Sequence, residues 1–202
     1  MLDRLGYHAL SCRTGGSLGV RHNALREVFL HYCKLAKIEA EREAPAGVLL
    51  PKQIFSYSAS MPTCLDCAVT HTQQPLSLEC ASVTTGAAGR YEESVKAPRY
   101  MEECKENGLN FIPMVVEVFG AWGFKSAPVF SFVSRAVALH QNLDEERSDS
   151  YLRQALSVTL QRYNANTLLK HRNPLTPTAD GPRAGPGFAV SLKFGPYLTF
   201  SQ

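Results

Sequence analysis

The chain has 202 residues, 45% of them hydrophobic and 19% charged, which is enough apolar material for one domain with a sizeable core. A formal net charge of +3 is compatible with a polyanionic partner and far too mild to argue for one. No apolar run nears the ~20 residues of a membrane span and the N-terminus lacks a signal-peptide h-region, so the expectation is a nuclear or cytoplasmic protein, neither secreted nor membrane-bound; six irregularly spaced cysteines point to reduced thiols rather than a disulfide framework.

Residues 1–16 are too short to pack alone. His8 and Cys12 are spaced as two metal ligands, half of the four that a structural zinc site needs, so no zinc is expected on this chain alone. Residues 20–38 predict a helix, with Leu25, Val28, Phe29, Tyr32, Leu35 and Ala36 on one stripe. It opens on Arg21-His22-Asn23. Either Asn23 caps the helix and His22 is solvated, or the positive groups and free N–H groups there face a phosphate. Residues 39–43 alternate charged and small side chains and read as a helix end or an edge strand. Val48 to Phe55 reads as a strand broken by Pro51. Residues 64–71 read as a second short strand. Its Cys64-x-x-Cys67 is not taken as a redox pair, because residues i and i+3 of a strand face opposite sides. Asp66, alone in that apolar strand, is costly to bury unless it is paired or binds a metal; the other reading is a wetted strand end.

Residues 80–107 read as a helix that Pro98 should kink or end near Ala97. Residues 110–119 are the most apolar strand and are expected at the centre of the sheet, although Pro113 argues for a strand start or an edge. Glu117 within it either approaches a site or pairs with a basic side chain. Two more helices follow over 126–140 and 147–170. Arg162, Lys170, His171 and Arg172 could meet a nucleic-acid backbone, or form a solvated helix end. Residues 173–202 turn rich in Pro and Gly and read as linker or disorder, with a final F-A-V-S-L-K-F able to add an edge strand.

Several of these runs, taken in order, resemble the restriction-like, PD-(D/E)XK-type endonuclease domain that follows the reverse transcriptase in site-specific non-LTR retroelements. Gly6, Tyr7, His8, Ala9, Leu10 and Cys12 match half of that family's zinc knuckle. Arg21-His22-Asn23 matches its Arg/Lys-His-Asn/Asp motif. Pro51-Lys52-Gln53, with twelve residues before Asp66, matches the family's Pro-Asp and second Asp, except that Gln53 replaces the first Asp. Lys96, Arg99, Tyr100, Cys104 and Gly108 fill its Lys-x-x-Lys-Tyr, Cys and Gly places. Val116, Glu117, Phe119, Gly120, Trp122 and Gly123 match its Val-Glu-x-Phe-Gly-Gly-Trp-Gly. The resemblance spans roughly residues 3–172.

What it implies is an α/β fold, a restriction-endonuclease-like core with a small mixed sheet flanked by helices. The segments are then 1–16, a zinc-knuckle remnant; 17–123, the core; 124–172, a helical extension; and 173–202, the tail. The implied site has Glu43 and Asp66 binding Mg²⁺, Gln53 in the place of a carboxylate, and Lys96 assisting, in the stead of a lysine where Ala68 stands. Arg21, His22, Arg99, Arg162, Lys170 and Arg172 would contact DNA. With Gln53 neutral, Mg²⁺ should bind weakly, so the expectation is a degenerate nuclease of little or no activity, either a fragment of a longer ancestor or an element in decay. The alternatives are a non-catalytic nucleic-acid-binding module and a remnant with no retained function. The oligomeric state is not legible.

Overall fold

The computed structural model describes residues 9–10, 17–42, 63–72, 78–79, 82–172 and 189–193. His8, Cys12, Glu43, Gln53, the strand expected over 48–55 and the linker of 173–188 lie outside the described residues. Within them the chain is mixed α/β and mostly helical. The elements are α1 (Ser17–Leu35), β1 (Glu39–Arg42), β2 (Thr63–Thr70), α2 (Ala87–Glu106), β3 (Asn110–Glu117), α3 (Ser126–Gln141), α4 (Glu145–Arg172) and β4 (Ala189–Lys193).

The sheet runs β1-β4-β2-β3. β2 and β3 are parallel with Asp66 opposite Pro113 and Thr70 opposite Glu117, and α2 is the crossover between them, as a parallel pair requires. β4 runs antiparallel to both β1 and β2. The C-terminal apolar run is therefore an interior strand, where an edge addition was expected. β3 in turn lies at an end of the described sheet, where a central place was expected. Pro113 explains that position. Val115 O and Glu117 N bond outward to Gly123 N and Ala121 O, at 2.8 Å each. By the two-residue period Pro113 also faces outward, so its missing N–H costs no bond to β2.

Strand alternation sends Leu65, Cys67, Met114 and Val116 to one face of the sheet, where Leu25, Phe29 and Cys33 of α1, Val129, Phe130, Val133 and Val137 of α3, and Leu152, Leu156 and Leu160 of α4 complete one apolar cluster. Burying each such leucine contributes about 1.5–3 kcal/mol. The same cluster spans the boundary drawn at 123/124. On the other face, under α2, Cys64 and Phe111 pack with Cys104 and Leu109, with Tyr100 at their margin.

The helix ends have local causes. Asn142 takes the left-handed conformation (φ 51°) that asparagine tolerates and closes α3 onto Ala138 O. Asp144 Oδ2 accepts the Arg147 N–H at 3.1 Å, which starts α4 at Glu145, two residues before the expected start. α2 continues past Pro98 to Glu106, so of the expected kink or end near Ala97 the end does not occur. Pro98 and Ser94 are exposed, so the Ser94 carbonyl that Pro98 leaves without a donor has water available.

Candidate functional site

Asp66 sits in the middle of β2 between β4 and β3, on the face turned to α2. α2 presents Lys96 to that face. Lys96 Nζ donates to Asp66 Oδ2 at 2.6 Å, and the side chains are 18% and 6% exposed. The other carboxylate oxygen, Oδ1, is buried without a hydrogen-bond partner among the described residues. Burial pushes the Asp66 carboxyl above the ordinary carboxylate value, while the charge and hydrogen bond of Lys96 pull it down. Asp66 is thus neither a wetted strand end nor a fully satisfied ion pair. One of its oxygens is paired, and one is left as an open acceptor in a dry place.

The chain matches no protein-family model, no curated protein and no solved structure.

His22 lies within electrostatic reach of this pair. Burial, then Lys96, then Arg26 hold its imidazole down to about 4, so it is neutral near pH 7 and carries no positive charge to a phosphate. Neither expectation for the Arg21-His22-Asn23 run survives as drawn. α1 begins at Ser17, so the N–H groups of residues 21–23 fall beyond the four that a helix start leaves free. Asn23 therefore caps nothing and no phosphate meets free amides there. Arg21 is 1% exposed. Its Nη1 donates to Asn164 Oδ1 at 2.7 Å and its Nη2 donates to the Leu10 carbonyl. Asn164 Nδ2 in turn donates to Val118 O at 2.6 Å. Arg21 is spent on joining α1, α4 and the end of β3, and a DNA backbone in solvent does not reach it. Burial pulls its guanidinium down to about 10, still charged at neutral pH.

Glu117 is 4% exposed, and its Oε1 faces the Gly89 N–H in the first turn of α2 at 3.4 Å. An acid there suits the positive end of the helix dipole. It stands four register steps from Asp66, about 13 Å at strand rise, so the two carboxylates do not share a site. Trp122 packs edge-on against Phe130 with ring centroids 4.9 Å apart, pinning the turn after β3 to the core.

Of the other expected residues, Arg162 and Lys170 are exposed on α4. Arg99 lies in α2 and Arg172 ends α4, their side chains outside what is described. Glu43 and Gln53 lie outside the described residues altogether. The cysteine pair behaves as strand geometry requires: Cys64 packs under α2 and Cys67 in the opposite core, and burial first, then Asp66, raises the Cys67 thiol to about 12. Among the described residues no three His, Cys, Asp or Glu side chains gather as a metal set, and no helix is long and apolar enough to cross a membrane. For Mg²⁺ the fit therefore rests on one atom, Asp66 Oδ1, a hard anionic oxygen with its lone pairs unused.

Sequence reasoning missed Glu93 and Asn164. Glu93 is 2% exposed in a helix whose charges look like a solvated face. Its one signal is spacing, four residues after Gly89 and three before Lys96, which puts all three on the sheet side of α2. Asn164 carried no local signal, since its partners lie far away in the chain.

Proposed function

We propose that this chain is a retroelement-derived, endonuclease-like protein. Its ancestral reaction is metal-dependent hydrolysis of a DNA phosphodiester, and the present chain performs it weakly or not at all. The β2–α2–β3 unit is read as part of a restriction-like core. The observation that carries the reading is the 2.6 Å contact of Lys96 with Asp66. The resemblance singles out both residues separately, on elements thirty residues apart. Position 68, the family's usual lysine place, alternates onto the same strand face as Asp66. A lysine arriving from α2 at that face fits substitution for the missing one.

Bound Mg²⁺ supplies an acidified water and stabilisation of phosphate charge. The residues' own parts follow from their chemistry. Asp66 Oδ1 offers the anionic ligand, and Glu43 and the Gln53 amide oxygen would complete the protein's share. Lys96 holds Asp66 ionised through Oδ2 and stands ready for a phosphate oxygen. Two features weaken such a site. Gln53 contributes no charge, and burial already raises the Asp66 carboxyl, so protons compete with the metal.

The test is nicking of supercoiled DNA with Mg²⁺ or Mn²⁺. The unaltered chain is expected to be inactive or nearly so, Gln53→Asp to gain activity, and Gln53→Asp with Asp66→Ala to lose it again. A folded Gln53→Asp that stays inactive, or cleavage indifferent to Asp66→Ala, rejects the reading. The exposed Arg162 and Lys170 favour a second reading, DNA binding without cleavage. Retention by duplex DNA that weakens steeply with salt and ignores chelators would support it.

A further inference from the structure

Glu93 precedes Lys96 by one turn of α2 and faces the same side. Its carboxyl group fills the hollow that Gly123 leaves by having no side chain: a Cβ built there would stand 2.1 Å from Oε1 and 2.5 Å from Cδ. Gly89, one turn earlier, meets the same glycine, its own Cβ position 3.2 Å from Gly123 N. The N-terminal half of α2 is therefore seated on the turn after β3 through two glycines and one carboxyl group. Both Glu93 oxygens are buried and make no well-formed hydrogen bond among the described residues; the Lys125 backbone N–H is the donor near them. The charged and titratable groups around it are Arg90 and Lys96 on α2, Lys125 in the turn before α3, Glu117 on β3 and Asp66 on β2. Lys125 Nζ lies 5.0 Å from the centre of the Phe124 ring, Lys125 meets Glu93 through its backbone and its charge, and Glu117 Oε1 faces Gly89.

We propose that Glu93 is a positioning residue for the Lys96–Asp66 pair: protonated, it seats α2 on the turn after β3, and ionised, it loosens that seat and with it the hold on Lys96. A carboxylate so weakly bonded in such a hollow is costly, so the group keeps its proton below about pH 7. Burial pushes the carboxyl up to about 7, and the Lys125 backbone, the Lys125 charge and Arg90 pull the other way without prevailing. The seated state binds the proton more tightly than the open one. Opening is therefore favoured progressively as pH rises from the ordinary glutamate value of 4.5 to about 7, and levels off above it. The consequence for catalysis rests on the endonuclease reading; the coupling of Glu93 to α2 does not.

The experiment uses the full chain without DNA or metal, so an inactive enzyme has no bearing on it. Amide hydrogen exchange over residues 90–97 is followed from pH 4.5 to 8 and corrected for base catalysis. The opening constant is expected to rise with pH, by at most about tenfold per unit for one titrating group, then level off. Glu93→Gln should abolish the rise. The same slope in wild type and Glu93→Gln overturns the proposal. Should Glu93→Gln fail to fold, ¹³C titration of the wild type decides. A shared step near pH 7 at the Glu93 carboxyl and the Lys96 side chain upholds the coupling; an ordinary Glu93 midpoint, or no step at Lys96, overturns it.

Discussion

On the face of the sheet covered by α1, α3 and α4, β2 and β3 bring Leu65, Met114 and Val116 to other apolar side chains. On the face covered by α2, the same two strands bring Asp66 and Glu117, and the helix answers with Lys96, Glu93 and a helix-start amide. The α2 face also carries the smaller apolar cluster of Cys64, Phe111, Cys104 and Leu109, so the asymmetry lies at Asp66 and Glu117. One face supplies stability through area removed from water. The other holds buried ionisable groups, each of which costs free energy unless its partner is in place. Apolar residues would pack there at lower cost, and the proposed endonuclease ancestry would account for the pair.

The comparison can be broken first on the apolar side. Phe130 is fully buried, between Phe29 at 6.4 Å and Trp122 at 4.9 Å between ring centroids. Phe130→Ala should cost about 3–5 kcal/mol, read by urea unfolding. A much smaller loss would mean that this face is not the principal source of stability. On the polar side the sign of the pair is the question. Lys96→Met alone leaves Asp66 buried without its cation and should cost about 3 kcal/mol at neutral pH. Lys96→Met combined with Asp66→Leu should recover most of that, or exceed the wild type by about 1–4 kcal/mol, as isosteric apolar replacement of buried pairs can. A double variant as unstable as the single one would show the pair to be a stabilising element, and the appeal to ancestry would fall.

That asymmetry also governs what the sequence could convey. The helices α1, α3 and α4 were legible because their apolar stripes recur every three to four residues, and the stripe is the packing surface itself. Leu25 and Phe29, on the stripe read from spacing, are 3% and 1% exposed. Asp66 stood out as a lone acid in an apolar strand and Lys96 only through the resemblance, and no local pattern announced that they touch. Arg21 was misread because a charged residue near a helix start looks solvated, while its burial depends on Asn164, 143 residues away. The placement of β3 and β4 was misread for a related reason. Apolarity reports that a strand is covered on its faces and says nothing of which neighbours it hydrogen-bonds. Pro98 argued for a kink or an end because propensity counts the lost bond and not the solvent open to the exposed Ser94.

The smallest effect is the sharpest probe, because two groups near the pair titrate with opposite sign. His22 is held down to about 4, so unfolding restores an imidazole that protonates near 6.5. The unfolded chain binds the extra proton between those values, so His22 adds stability above about pH 6.5 and loses it as pH falls towards 4. Glu93 works in reverse, its contribution being lost as pH rises from 4.5 to about 7, and Asp66, pushed up by burial, is on its side. In the wild type the two slopes offset each other over roughly pH 4.5–6.5, and the pH profile of stability should look deceptively flat. Removing one group exposes the other. His22→Gln should leave a protein whose melting temperature falls as pH rises through that window, while Glu93→Gln, in which Asp66 still opposes His22, should leave a flatter or rising profile. Both profiles come from thermal unfolding across pH. Two variants whose melting temperatures fall alike through that window would mean that one of these side chains is hydrated, and that the polar face of the sheet is wetter than its burial implies.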